Sequence, residues 1–182
     1  DLSNLTHGHP LATRYLIQAL LHADEVGRKH LLSGGMPFDG DIETVYTAAW
    51  REIANDVDAM DVLGLIARAE APMDLRQLAT VVKESAIERA LFVARHLLRN
   101  SLQGWSVFHN SFRLFVIAQP RTRLGSVDAE YSQRVYRDLA ELAKTAPHES
   151  AQHWLELRYR ARAGDGAGWQ RERVRTLARS SH

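Results

Sequence analysis

The stretch Gln103-Gly104-Trp105-Ser106-Val107-Phe108-His109-Asn110-Ser111-Phe112-Arg113-Leu114-Phe115 constrains this chain more than any other. A short alternating run ends in Val107-Phe108-His109, and a helical pattern takes over at once, with Phe112, Phe115 and Val116 at i, i+3 and i+4. A strand must therefore hand over directly to a helix with one apolar face. Asn110 or Ser111 is expected to cap that helix, since a short polar side chain can satisfy its orphan amides. His109 then sits at the junction, beside the positive end of the helix dipole, where an anion would be well received.

Upstream, Asn55-Asp56 opens a helix in which Met60, Leu63, Gly64 and Ala67 share a face, and Ala71-Pro72-Met73 forms an extended link. Asp74 caps a helix bearing Leu75, Leu78, Ala79 and Val82. Ser85 and Glu88 fit a capping box for a helix with Ile87, Ala90, Leu91, Ala94 and Leu98 on one side. Strands are expected around Leu97 to Asn100 and Trp105 to Phe108, joined by a turn containing Gly104. Three helices followed by a hairpin is the order of a winged helix-turn-helix, placed at residues 56–118.

The flanks are helical. Leu2 to Thr6 reads as the end of a helix, broken by His7-Gly8-His9-Pro10, where Pro10 suits a first helical position. From Leu11 to Leu21 the only polar stripe is Arg14, Gln18 and His22, so that helix is expected to be largely buried. A short helix over Ala23 to Leu32 ends at Ser33-Gly34-Gly35 and Pro37. Asp39-Gly40-Asp41 then caps one lined by Ile42, Val45, Ala49 and Ile53. After a linker over Pro120 to Val127, Asp128 caps a helix carrying Tyr131, Val135, Leu139, Leu142 and Ala143. Ser150 opens another with Trp154, Leu157 and Ala161, and an amphipathic piece with Trp169, Val174 and Leu177 closes the chain. Paired helices with glycine turns resemble the start of a helical repeat array.

A chain of 182 residues can bury a substantial core. Its formal charge of +1 supplies no global field toward nucleic acid or membrane. The absence of cysteine excludes disulfides and thiolate metal sites. No run reaches the roughly 20 apolar residues of a bilayer span, and the opening lacks the regions of a signal peptide, so the expectation is a cytoplasmic protein. Only three of the 23 basic residues are lysine, a bias typical of GC-rich bacterial genomes.

Two marks about a hundred residues apart carry a family resemblance. Gly8-His9-Pro10-Leu11 resembles the Gly-x-Pro motif of the STAND class of signalling NTPases, the AP-ATPases, NACHT proteins and their bacterial relatives. Phe108-His109-Asn110-Ser111-Phe112 resembles their winged-helix motif, Phe-His-x-Ser-Phe before a further aromatic. The resemblance implies a mainly α chain: a helical lid (1–55), a winged helix with a small β-hairpin wing (56–118), and antiparallel helical pairs of a TPR-like or superhelical region (119–182). It further implies that Gly8, His9, Pro10 and His109 contribute to a nucleotide site, with the proline on the adenine and the histidine on the ADP phosphates in the off state.

No Gly-x-x-x-x-Gly-Lys-Ser/Thr occurs in the chain, and no acidic strand end suited to Mg²⁺ is recognisable. The expectation is a piece of a longer protein whose P-loop domain precedes Asp1, with a diverged stand-alone protein as the alternative. ADP or ATP would bind only together with that domain, the first expected partner. Effector or ligand proteins at the C-terminal helices would be the second.

Plainer readings compete at each position. His109 could be a capping histidine hydrogen-bonded within the core, Pro10 a helix-start device, and His7 with His9 an ordinary surface turn rather than a metal pair lacking a third ligand. The helix after Ser85 offers Glu84, Glu88, Arg89, Arg95 and Arg99, a mixture of signs that disfavours DNA reading. Arg158, Arg160, Arg162, Arg171, Arg173, Arg175 and Arg179 are expected to form a solvated face. No nucleophile elbow or zinc motif is found, Glu149 to His153 included, so an autonomous enzyme is not expected. The alternatives are a winged-helix transcription regulator with a helical extension and a protein-binding helical module.

Overall fold

A computed structural model describes residues 2–35, 41–119, 129–144, 152–166 and 171. The expected features at Pro37, Asp39, Gly40, Pro120 to Asp128, Glu149 to Ala151, Trp169, Arg173, Val174, Arg175, Leu177 and Arg179 lie outside the described residues.

The chain is mainly helical with one small antiparallel sheet of two strands. The helices are α1 (Leu2–Leu5), α2 (Pro10–His22), α3 (Glu25–His30), α4 (Ile42–Ile53), α5 (Val57–Arg68), α6 (Leu75–Leu78), α7 (Glu84–Ala94), α8 (Asn110–Ala118), α9 (Ala129–Lys144) and α10 (Gln152–Arg162). A π turn (Leu31–Gly35) follows α3, and a 3₁₀ turn (Arg95–Leu97) leads from α7 into β1 (Leu98–Ser101). β2 (Gly104–Val107) runs back to α8, with Ser101 opposite Gly104 and Leu98 opposite Val107.

Aspartates start four of these helices for one reason. In extended conformation each turns a carboxylate oxygen back onto an amide of the first turn: Asp24 onto Gly27, Asp41 onto Glu43, Asp56 onto Ala59 and Asp74 onto Arg76, at 2.7–3.0 Å. The expected capping box at Ser85 does not form. Its helix begins earlier, at Glu84, and the N-cap is Lys83, whose side chain makes no capping bond. Ser85 is already inside the first turn, where a capping hydroxyl has no role.

α5 is the centre of the molecule. It packs against α4, α7, α8, α9 and β2, and every residue from Ala59 to Arg68 except Asp61 is buried. Met60, Leu63, Gly64 and Ala67 do point inward, but the sequence reading of one apolar face underestimates a helix enclosed from several sides. Even Arg68 is buried, its Nε facing the Ser132 hydroxyl at 3.3 Å, its Nη1 facing the Gly64 carbonyl at 3.4 Å, and its guanidinium over Tyr131.

α2 shows the opposite error. Ala12, Tyr15 and Leu16 are buried, yet Ile17 is 40% and Leu21 63% exposed, so this helix covers the core with one side only. α6 is likewise shorter than expected, with Leu78 buried and Leu75 partly exposed. The extended link holds a hidden strand contact: Met73 pairs with Trp105 through two backbone hydrogen bonds, 2.7 and 2.8 Å. Gly104 permits that approach, because at φ 119° it is strained for any side chain and a Cβ there would collide with the Met73 carbonyl.

The basic C-terminal run is not simply a solvated face. Arg158 and Arg162 each reach a separate oxygen of Glu70 at 2.8 Å, and the Tyr159 hydroxyl accepts the Glu70 amide at 2.8 Å. Arg160 pairs with Glu141 and Asp165. These contacts, with the stacked rings of Tyr136 and Tyr159, fasten α10 to α9 and to the end of α5.

His96, in the 3₁₀ turn, packs edge-on against Tyr15 at 6.3 Å between ring centres. Desolvation pushes its pKa down from 6.5 to about 4. The folded chain therefore keeps a neutral imidazole down to about pH 4, whereas the unfolded chain protonates near 6.5. Stability from this residue is complete above pH 6.5, falls by about 3 kcal/mol as pH drops toward 4, and levels off below. Urea unfolding at pH 7 and 4.5 should show a clearly smaller loss in His96→Phe than in the parent protein; equal losses would refute the assignment.

Candidate functional site

The four residues singled out by sequence lie at the starts of two helices, and both starts are capped by histidine. At α2, His7 and Gly8 adopt positive φ (47° and 69°), turning the chain so that His9 becomes the N-cap and Pro10 the first helical residue. Proline costs nothing there, because its missing N–H would have lacked a helical partner. The His9 Nδ1 accepts the Ala12 amide at 3.3 Å. Thr13 secures the turn, its hydroxyl donating to the His9 carbonyl at 3.0 Å and meeting the buried Thr6 hydroxyl at 2.7 Å. Gly8 and Pro10 are exposed and His9 is half-buried.

At α8 the cap is His109 itself, and neither Asn110 nor Ser111 takes that role. His109 has the extended backbone of an N-cap (φ −133°, ψ 140°), and its Nδ1 accepts the Ser111 amide at 3.2 Å. Ser111 is used differently. Its hydroxyl lies 2.7 Å from the same Nδ1 and 2.6 Å from the Tyr46 hydroxyl, which in turn lies 3.3 Å from the Tyr15 hydroxyl.

The direction of this chain follows from its ends. An Nδ1 that accepts an amide carries no proton, so His109 holds its proton on Nε2. The Ser111 hydroxyl then donates to Nδ1, Tyr46 donates to Ser111, and Tyr15 donates to Tyr46. Both tyrosines have no exposed surface, and burial, followed by the bond to Tyr46, pushes the Tyr15 phenol upward and keeps it a donor. The outcome is an exposed Nε2–H at a helix N-terminus, with no hydrogen-bond partner among the described residues.

Pro10 and His109 are linked indirectly. Arg14, one turn beyond Pro10 (about 6 Å along the axis), lays its guanidinium 4.1 Å from the ring centre of Phe108, the residue before His109. Tyr15 meets the same ring edge-on at 6.1 Å. The Tyr46 ring is tilted against Phe112 and Phe115 at 5.1 and 5.5 Å, so α4 wedges between α2 and α8. The contacts therefore join α2, the helix that His9 and Pro10 start, to α4 and α8 through Arg14, Tyr15 and Tyr46; they do not place His9 or Pro10 beside His109.

Tyr15 and Tyr46 were not among the residues singled out, and Ser111 was expected only as a helix cap. A signal existed, since a tyrosine on the apolar side of a helix must find a partner for its hydroxyl once buried. The Ser111–His109 pair resembles half of a nucleophilic dyad, but the Ser111 oxygen accepts from Tyr46 and the Nδ1 also takes an amide. Such an arrangement orients the imidazole. Among the described residues no three histidines, aspartates or glutamates are grouped to hold a metal ion, and none of their helices is long and apolar enough to cross a membrane.

Long-range ¹H–¹⁵N spectra of the ring nitrogens should show His109 as the Nε2–H tautomer, with Tyr46→Phe reducing that preference. A predominant Nδ1–H form would contradict the hydrogen-bond direction derived above. No protein-family model matches the chain, and neither a curated protein nor a solved structure does.

Proposed function

We propose that this chain is the lid and winged-helix portion of a STAND-type signalling ATPase, and that it helps hold ADP in the off state. The observation that carries the reading is the imidazole of His109. It is fixed as an outward Nε2–H donor at the start of α8 and tied through Ser111 and Tyr46 to the helix that Pro10 begins. A neutral donor at a helix N-terminus suits a phosphate oxygen, and an exposed prolyl ring offers an apolar face to a base. The donor set thus fits a nucleoside diphosphate whose phosphates are otherwise cradled by a P-loop domain of the same parent chain.

The winged-helix reading is supported by element order. A helix (α5), a bridging strand residue (Met73), two helices (α6 and α7) and a hairpin (β1 and β2) follow one another, with Met73 beside Trp105 of the hairpin. The paired helices α9 and α10 are consistent with the first units of a sensor array. Switching in this reading is a population shift. ADP favours the closed arrangement through contacts that ATP does not reproduce, and loss of the His109 contact would release the winged helix.

The decisive assay is ADP affinity of the full-length parent carrying the P-loop. His109→Ala should weaken ADP by about ten- to a hundredfold, the worth of a hydrogen bond to a charged group, and raise basal signalling. Unchanged affinity together with unchanged basal activity would remove His109 from the role.

A further inference from the structure

The polar stripe of α2 faces a cleft that the nucleotide reading does not use. Arg14, Gln18 and His22 form one wall; Arg95 from the 3₁₀ turn, with Arg99 and Asn100 from β1, forms the other. The cleft is about 480 Å³, within the size range of small-molecule sites, and its described lining contains hydrogen-bond donors but no carboxylate.

The convergence of its three arginines is the informative point. Elsewhere Lys29, Lys83, Arg134, Lys144, Arg158, Arg160 and Arg162 all lie within ion-pair distance of an acidic side chain. Arg14, Arg95 and Arg99 have no such partner among the described residues, a state they share with Arg28, Arg51, Arg68, Arg76, Arg89, Arg113 and Arg137; what sets them apart is that all three line one cleft. Arg14 and Arg95 instead rest on the rings of Phe108 and Trp105, at 4.1 and 6.0 Å from the ring centres. An aromatic face positions a guanidinium without cancelling its charge. Three cations from three separate elements thus converge on one concavity whose own lining holds no carboxylate.

The geometry points to a binding site for a polyphosphate group in the cleft between α2 and the β1–β2 hairpin. Several guanidinium forks match several phosphate oxygens, whereas a single carboxylate would leave most of the positive charge uncompensated. The adjoining stretch of about 550 Å³ shares Gln18, His22, Arg95 and Trp105 and adds Leu91, Phe92 and the carboxylate of Glu88, so an uncharged, partly apolar group attached to the phosphates would have a place to lie there, and the phosphates themselves would not. Duplex DNA fits less well. The cleft is walled on both sides, and the neighbouring exposed face of α7 carries Glu84 and Glu88. This site adjoins the proposed ADP contact, since Arg14 and Phe108 line it, but it is a different one: His109 and Pro10 are not in its lining, and its arginines need no P-loop.

Calorimetric titration of the 182-residue protein with inorganic triphosphate tests the proposal. One-to-one, salt-sensitive binding in the submillimolar range is expected. It should weaken at least tenfold in Arg95→Gln/Arg99→Gln and persist in two controls: the charge-matched Arg51→Gln/Arg76→Gln and, separately, His109→Ala. Thermal unfolding of each variant checks that the fold is kept. A parallel titration with a nucleoside triphosphate distinguishes the sources: equal affinity assigns the site to bare polyphosphate, and tighter binding assigns it to a ligand with an apolar group in the adjoining stretch. No binding, equal weakening in the charge-matched control, or tighter binding of duplex DNA through the same arginines would each overturn it.

Discussion

Two tyrosine hydroxyls placed inside the protein set the terms for the cluster around His109. A phenol removed from water must find a partner or cost several times what a satisfied one contributes. Tyr15 and Tyr46 solve this together, and the solution runs outward through Ser111 to the ring of His109. Three helices distant in sequence are thereby held in one relation, and an imidazole on the surface inherits its tautomer from the core. That is how a helix cap becomes an oriented donor.

The cluster can be rigid because α5 is. Its enclosure by α4, α7, α8, α9 and β2 leaves little freedom for the elements leaning on it. Arg113 adds a direct tie, its Nε donating to the Ala67 carbonyl at 2.7 Å. Glu70, just beyond α5, anchors α10 through Arg158, Tyr159 and Arg162. Contacts thus run from α8, which His109 caps, to the end of α5 and on to α10. The outer side of α2, with Ile17 and Leu21 exposed, is not engaged in this framework.

Much of the local structure was legible because it is governed by local chemistry. Asp41, Asp56 and Asp74 cap helices through bonds spanning two or three residues, and the hairpin was placed within one residue of its strands. What was not legible depends on partners far along the chain. The covering of α5 and the bareness of α2 are set by which helices lie nearby, which periodicity alone does not encode. Ser85 with Glu88 satisfied a capping pattern, yet the helix starts before them at Glu84. At the site, the position of His109 could be read from the strand-to-helix junction. Its role as the cap, and the diversion of Ser111 to Tyr46, could not, because that contact spans 65 residues. The arginines of α10 looked solvated for the same reason: their acidic partners, Glu70 and Glu141, sit on other segments.

The central claim is that the Tyr46–Ser111 hydrogen bond couples α4 to α8 and so orients His109. A double-mutant cycle measures it most directly, using urea unfolding of Tyr46→Phe, Ser111→Ala and the double variant. The account predicts a coupling energy of about 1 kcal/mol, the net worth of one buried hydrogen bond. Strictly additive effects of the two substitutions would contradict it.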